Sequence, residues 1–371
     1  MNTTAILYVD DDPDAFGGWR NEVMADGRAS LTIAHPDDVT RDHLERASVV
    51  LVDFKLEHWP NRDNLEQLSL KPVNGLSLLT ILQEHLHESK VTSPCAFALH
   101  TGAFHIVARS LPPQPHIVAR AHNLEWIFDK STPGPRRAAQ VVQLAAAVQA
   151  LPVIWPQDSA PAASDALRQW LGLNESAPWS HSAWGDVVRC RPPIHEFAEH
   201  TNGVGVLRWM LHRILPYPCF LIDDIHLAAR LRITVESLRT ELDPGGSLYD
   251  FLRTAEYQGQ LKTFLGRRWW RSGIELLLFQ LTKESPGDLS FLRIKLAARY
   301  PNLVPTEALH VYPVLDDQFR SREILAAADE VVEIVPDDWP PFADSAWALA
   351  SDLEDYPQLK AIGVSGGDVE E

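Results

Sequence analysis

The chain has 371 residues, of which 45% are hydrophobic and 22% are charged. These proportions are typical of globular proteins, and the length suits about two domains. The formal net charge of −17 opposes non-specific attraction to nucleic acid or to an anionic membrane, because both partners need a positive field. No apolar run reaches the ~18 residues of a membrane-spanning helix. We therefore expect a cytoplasmic protein without a membrane partner.

Short apolar runs alternate with longer amphipathic stretches in the first 150 residues, which predicts parallel strands joined by helices. The five predicted strands are residues 5–9, 30–34, 47–52, 94–100 and 124–128. The third strand is a continuous apolar run, as required for a strand covered by helices on both faces. The pattern predicts a flavodoxin-like α/β domain with a five-stranded parallel sheet over residues 1–151.

The rest of the chain has a different pattern. Residues 152–165 contain three prolines and several small residues, which is typical of a linker. Residues 166–371 form a predicted second domain that is mainly helical (α or α+β) and ends in an acidic tail. Helices are predicted over residues 204–214, 221–231, 235–242, 248–265, 271–283 and 289–300, and strands over 309–314 and 330–335.

Polar side chains stand where the predicted strands of the first domain end. Asp10 and Asp11 follow the first strand, Asp53 the third, Thr101 the fourth and Lys130 the fifth. Because parallel strands end at one edge of a sheet, these side chains should lie together. Phosphoryl transfer to a carboxylate needs a nucleophile, a divalent cation and fixed donors. We predict that Asp53 is the nucleophile, that Asp10 and Asp11 bind Mg²⁺, and that Lys130 and Thr101 donate to phosphoryl oxygens.

These motifs resemble the receiver domains of bacterial response regulators, the signalling proteins of two-component systems. The matching pieces, in family order, are residues 6–13, 50–53, Gly75, 99–103 and 128–130. The resemblance covers roughly residues 1–150. It implies that a histidine kinase or phosphotransfer protein phosphorylates Asp53 with the help of Mg²⁺. It also implies that the backbone carbonyl of Lys55 completes the metal shell formed by the aspartates.

The sequence departs from the family pattern at three places. Gly75 lies twenty-two residues after Asp53, which predicts an insertion next to the site. Ser131 follows Lys130 where the family has a proline, and Ile127 stands where the family has the aromatic residue of its switch. A degenerate receiver that no longer takes phosphate is the alternative. The presence of every chemical residue favours phosphorylation.

Two segments of the second half suggest nucleic-acid binding. Residues 227–242 resemble a helix-turn-helix, although Arg232 stands where the turn usually has glycine. Residues 266–271 form a basic and aromatic cluster in which Arg267, Arg268 and Arg271 are candidate ligands of nucleic acid or of an acidic partner. The simpler interpretation is an ordinary helix pair, and core tryptophans with paired arginines.

The sequence therefore predicts a response-regulator-like protein. Phosphorylation of its receiver would alter partner association through the C-terminal domain, and we identify no second catalytic site. One alternative is a DNA-binding transcriptional regulator that uses residues 227–242. Another is a phosphate sink that drains a kinase, a role open to unusual receivers, including those of bacterial defence systems. Homodimer formation remains an open expectation.

Overall fold

In the computed structural model of the chain, the described residues are 3–60, 71–89, 93–152, 160–194, 203–243, 246–283, 285 and 287–364. The chain divides into two compact units. The first comprises Met1–Leu171, Pro193–His212 and Gly259–Phe264, and the second comprises Gly172–Pro192, Arg213–Gln258 and Leu265–Glu371. This division differs from the predicted linear one, since the first unit includes segments from beyond residue 165. Residues 153–159 of the predicted linker and the tail from residue 365 lie outside the described residues.

The first unit is built on a five-stranded parallel sheet with the strand order β2-β1-β3-β4-β5. Its strands are β1 (Thr4–Val9), β2 (Ala29–Ala34), β3 (Val49–Asp53), β4 (Ala96–Thr101) and β5 (Trp126–Asp129). Every residue of β3 is buried, which explains the uninterrupted apolar sequence of this strand. The predicted flavodoxin-like fold is confirmed.

Helices cover both faces of this sheet. The helices of this part of the chain are α1 (Gly17–Met24), α2 (Arg41–Arg46), α3 (Gly75–Glu88), α4 (Phe104–Ala108), α5 (Pro115–Ala121), α6 (Gly134–Gln149) and α7 (Ala160–Trp170). Two of them begin at side-chain caps: Thr40 accepts from a backbone N–H of α2, and Asn74 accepts from a backbone N–H of α3. Helix α7 is tied to the first unit by the Trp170 indole, which donates to the carbonyl oxygen of Ala147 at 3.1 Å.

The second half of the chain contains helices and two small sheets. The helices are α8 (Ser180–Arg189), α9 (Val204–Trp209, continuing as a π-helical turn over Met210–Ile214), α10 (Asp224–Leu231), α11 (Val235–Glu241), α12 (Ser247–Leu252), α13 (Arg271–Leu281), α14 (Leu289–Arg299), α15 (Ala350–Asp355) and α16 (Pro357–Ala361). The strands are β6 (Leu221–Ile222), β7 (Trp269–Trp270), β8 (Val311–Leu315), β9 (Ser321–Ala327), β10 (Val331–Ile334) and β11 (Ala346–Leu349). Strands β8 to β11 form a four-stranded sheet in the order β10-β11-β8-β9. Among the described residues, no helix is long and apolar enough to span a membrane.

One predicted helix of the second half is wrong. The helix expected over residues 248–265 ends at Leu252, and a 3₁₀ turn follows over Arg253–Ala255. Glu256 then forms a β-bridge with Trp269, so the backbone groups pair across the chain instead of along a helix. Leu261 has a left-handed backbone with φ of 62°, which an α-helix does not allow. The second half is therefore α+β.

Helix α9 is joined to the rest of the first unit by an ion pair between the partly exposed Arg208 and a buried carboxylate. The Arg208 guanidinium contacts the Glu125 carboxylate, with 2.6 Å between Nε and Oε1, and also donates to Asn123 Oδ1 at 2.6 Å. His212 Nε2 lies 2.8 Å from the carbonyl oxygen of Glu125. Glu125 is only 1% exposed. Burial raises the pKa of Glu125, and Arg208 opposes that rise by stabilising the charged form.

We expect acid to lower the stability of the first unit, because His116 and His212 are buried in it. Burial lowers the pKa of His116 to about 3 and that of His212 to about 4. In the unfolded chain a histidine takes up its proton near pH ~6.5, so stability is fully present above that pH and is lost as the pH falls toward these lowered values. The free energy of unfolding should fall between pH 7 and pH 5 in both proteins, and we expect the fall to be about 2 kcal/mol smaller in His116→Gln than in the wild type. Urea unfolding at the two pH values measures this difference. Equal losses in the two proteins would contradict the prediction.

Candidate functional site

The predicted acceptor is a buried carboxylate held by a cation. Asp53 ends β3 and is 5% exposed, while Lys130 directly follows β5. The ammonium group of Lys130 forms an ion pair with the Asp53 carboxylate, and the backbone N–H of Lys55 donates to Asp53 Oδ2 at 3.1 Å. Burial raises the pKa of Asp53, whereas Lys130 lowers it. A carboxylate in this position is an oriented oxygen nucleophile whose charged form depends on Lys130.

Two further carboxylates lie at the same edge of the sheet. Asp10 accepts a hydrogen bond from the Tyr8 hydroxyl at 2.6 Å, and Asp11 accepts one from the backbone N–H of His58. Both aspartates are buried. Burial raises the pKa of Asp10, the nearby charge of Asp11 adds to that rise, and the charge of Asp10 in turn raises the pKa of Asp53. The three carboxylates therefore interact electrostatically across the strand ends.

The chemistry of these donors fits a magnesium ion. Carboxylate and carbonyl oxygens are the ligands that Mg²⁺ prefers, and a divalent cation would offset the mutual repulsion of the aspartates. Among the described residues, no three His, Cys, Asp or Glu side chains are already arranged around one metal position. Asp11 is engaged by His58 and Asp53 by Lys130. Coordination by Asp10, Asp11, Asp53 and the Lys55 carbonyl therefore stays a prediction.

Thr101 and Gly75 fix the backbone around the acceptor. Thr101 ends β4, is 1% exposed, and accepts a hydrogen bond from Ala103 N at 2.9 Å. Its carbonyl oxygen accepts from the N–H of Lys130 at 2.7 Å, which ties the ends of β4 and β5 together. A Cβ atom on Gly75 would lie 2.0 Å from the carbonyl oxygen of Asp53. Only glycine permits this close approach between the start of α3 and the acceptor.

The described part of the insertion predicted after Asp53, which includes His58 and Trp59, lies next to the site. His58 contacts Asp11, and the indole of Trp59 donates to Asp37 Oδ2 at 3.0 Å, so both residues are anchored at the edge where the aspartates lie. Residues 61–70 of the insertion lie outside the described residues. Because His58 occupies an oxygen of Asp11, the insertion acts directly on a predicted metal ligand.

A buried aromatic cluster behind the site was not predicted. His100 Nδ1 lies 3.1 Å from the Tyr8 hydroxyl oxygen, and the His100 ring stacks on Trp19 with 4.9 Å between the ring centroids. Burial lowers the pKa of His100, and the charge of Lys130 adds to the effect, so the ring is neutral. Side chains alternate along a strand, and this alternation puts Tyr8 of β1 and His100 of β4 on the same face of the sheet. The sequence could therefore have predicted this pair. Trp19 gave no such signal.

The arginines of residues 266–271 all have partners within the second unit. Arg268 is 7% exposed and donates to a backbone carbonyl oxygen at 2.9 Å. Arg267 lies 3.5 Å from the Glu256 carboxylate, and Arg271 lies 2.8 Å from that of Asp344. The two tryptophans between them are buried. These contacts match the simpler interpretation, in which the cluster is structural.

The segment that resembles a helix-turn-helix forms two helices, α10 and α11. Arg232 takes the place of the usual turn glycine and adopts a left-handed backbone with φ of 59°. On the outer face of α11, the guanidinium of Arg239 pairs with the exposed Glu323 carboxylate at 2.9 Å. The helix pair is therefore present, while DNA binding by it stays an untested hypothesis.

Comparisons with known proteins give only weak likenesses. No protein-family model matches the chain, and no curated protein matches it. The chain is similar to the crystal structure of ChrA, the response regulator of a heme-sensing two-component system, with 12% identity over 69% of this chain and 91% of that one and a TM-score of 0.26. It is also similar to two structures of the response regulator RcsB from Salmonella typhimurium, one of them bound to a promoter, with 10% and 11% identity over 57% of this chain and 92% and 98% of theirs, and TM-scores of 0.26. With identities of 10–12% and TM-scores of 0.26, these similarities support no conclusion about the fold or the function of this chain.

The strand order of the sheet defines the fold of the N-terminal part. Strand order β2-β1-β3-β4-β5 is that of a flavodoxin-like sheet. The Asp53–Lys130 ion pair lies at the carboxyl ends of β3 and β5, where such sheets bind their ligands. The N-terminal part is therefore a flavodoxin-like α/β domain with a group of acidic side chains and one lysine at the carboxyl ends of its strands.

Proposed function

We propose that this chain is a signalling protein whose receiver domain accepts a phosphoryl group on Asp53. One observation carries the proposal: the buried Asp53 carboxylate is paired with Lys130 at the edge where Asp10 and Asp11 also lie. The proposed donor is a phosphohistidine of a histidine kinase or of a phosphotransfer protein. The proposed consequence is a change in partner association through the C-terminal half.

The proposed reaction needs little more than positioning and charge neutralisation. A carboxylate oxygen of Asp53 attacks the phosphorus atom while the phosphorus–nitrogen bond to the donor imidazole breaks. The imidazole leaves with the electron pair and takes up a proton. Mg²⁺, held by Asp10, Asp11, Asp53 and the Lys55 carbonyl, would neutralise the charge on the phosphoryl oxygens.

The remaining donors act on the product. Lys130 already contacts Asp53, so its ammonium can pair with a phosphoryl oxygen once the acyl phosphate forms. The Thr101 hydroxyl lies at the adjacent strand end and would donate to a second phosphoryl oxygen. The acyl phosphate would carry about two negative charges where the carboxylate carried one, and the added charge would attract both donors.

Phosphate incorporation should depend on Mg²⁺. With acetyl phosphate as a small phosphate donor, we expect the intact mass to rise by one phosphoryl group in the presence of Mg²⁺. Excess EDTA should abolish the increase, because the carboxylates then repel the incoming phosphate. Restoring free Mg²⁺ to the same EDTA-treated sample is the control and should recover the increase. Absence of phosphate at every Mg²⁺ concentration would contradict the proposal.

Two alternatives lead to different outcomes. A phosphate sink would lose its phosphate quickly and would show no change in affinity for any partner. A DNA-binding regulator would bind duplex DNA at low salt and lose affinity as salt rises, because phosphate contacts release counterions. The arginine contacts of the second unit do not favour DNA binding. Fluorescence anisotropy with labelled duplex, on the phosphorylated and unphosphorylated chain, separates DNA binding from regulated protein association.

A further inference from the structure

A short loop of the second half packs within the first unit. This docking loop, Gly259–Phe264, belongs to the first unit, whereas the chain up to Gln258 and from Leu265 belongs to the second. Any displacement of the docking loop therefore reaches the second unit through two covalent connections. Glycine at position 266, with φ of 91°, gives the chain a sharp change of direction directly after the loop.

The docking loop contacts both β5 and α6. The ring of Phe264 packs edge-on against Trp126, with 5.0 Å between centroids, and against Phe128 at 6.3 Å. Gln140 donates from its side-chain amide to the carbonyl oxygen of Phe264 at 2.8 Å, and the N–H of Thr263 donates to a side-chain oxygen of α6 at 3.0 Å. Phe264 is 1% exposed. The docking loop is therefore packed against β5 and α6 and does not simply lie on the surface.

The contact residues on β5 are joined to the proposed phosphorylation site by the strand itself. Side chains alternate along a strand, so Trp126 and Phe128 face the docking loop while Ile127 faces the opposite core, where it is 1% exposed. Ile127 is the position at which the family has its aromatic switch residue. Lys130, two residues beyond Phe128, contacts Asp53. In this chain the aromatic residues therefore lie on the other face of β5 and meet Phe264.

We infer that the docking loop is the element through which the receiver passes its phosphorylation state to the C-terminal half. The inference rests on the proposed function. When Lys130 turns from the carboxylate to a phosphoryl oxygen, we expect the end of β5 to move. The Phe128–Phe264 contact should move with it, because close-packed interiors transmit small displacements. The loop also occupies this part of the β5 and α6 surface, so a second copy of the chain would have to pair through another face.

Hydrogen exchange of the full chain, with and without Mg²⁺ and beryllofluoride, tests the inference. In the wild type we expect beryllofluoride to protect the peptides around Asp53 and to change exchange in residues 265–364. In Phe264→Leu the protection around Asp53 should remain, while the change in residues 265–364 should shrink at least about threefold. Phe279→Leu, a matched change at a 39% exposed phenylalanine of α13, should behave like the wild type.

The outcomes separate this inference from the proposed function. If beryllofluoride protects Asp53 but residues 265–364 respond equally in Phe264→Leu and the wild type, or do not respond in either, the inference is wrong and the proposed function stands. If beryllofluoride has no effect around Asp53, both fail. Gln140→Met removes the hydrogen bond to Phe264 without a large change in volume, so it provides the same readout should Phe264→Leu not fold.

Discussion

Asp53→Asn is expected to abolish phosphate incorporation under conditions in which the wild-type chain is fully labelled. The amide keeps the shape of the side chain but offers no carboxylate oxygen for attack on phosphorus. Because burial raises the pKa of Asp53, removal of its charge relieves a desolvation cost, so the variant should fold. The measurement is the intact mass after incubation with acetyl phosphate and Mg²⁺.

The matched control for this variant is Asp14→Asn. Asp14 is an exposed aspartate close to the strand-end acids in sequence, so the substitution changes the net charge by the same amount without touching the acceptor. We expect its phosphate incorporation to equal that of the wild type. Labelling of Asp53→Asn at the wild-type level would show that a different residue accepts the phosphate.

Arg208→Met is expected to lower the free energy of unfolding by about 3 kcal/mol, because it leaves Glu125 buried without its cation. The partial exposure of Arg208 puts the expected loss at the lower end of the range for broken buried pairs. Urea unfolding at pH 7 measures the effect. Arg208→Met combined with Glu125→Gln should recover most of the loss, since the amide oxygen can still accept from the backbone N–H of Phe97.

Arg239→Met is the comparison variant for Arg208→Met. Arg239 makes a bidentate pair with Glu323, but both side chains are exposed, so the loss should be at most about 1 kcal/mol. A loss for Arg208→Met no larger than that for Arg239→Met would mean that the Glu125 pair does not hold α9 in the first unit.

The fold of the first unit and the grouping of its acidic side chains at one edge of the sheet could be predicted because they depend on short-range patterns. The apolar run before Asp53 identifies a buried strand, and the strand ends bring distant aspartates to one edge by topology alone. The insertion after Asp53 was visible as excess length before Gly75. Its contact with Asp11 was not, because a backbone N–H leaves no trace in the amino-acid pattern.

Contacts between remote segments could not be predicted. Nothing in the sequence around Phe264 distinguishes a helix from a loop that packs on Trp126, and the Arg208–Glu125 pair joins residues eighty-three positions apart. Strand β9 was also missed, because only Ala326 of its residues Ser321–Ala327 is buried and the strand therefore lacks a buried alternating stripe. Such long-range contacts and strand pairings depend on packing in the whole core and not on the local propensity of the residues.

The central claim is tested most directly by locating the phosphoryl group on the chain. Reduction of the phosphorylated protein with borohydride converts an aspartyl phosphate to homoserine, which peptide mass spectrometry can place. We predict homoserine at position 53 after incubation with acetyl phosphate and Mg²⁺, and none without the phosphate donor. Homoserine at another aspartate, or a phosphate that borohydride does not remove, would contradict the account.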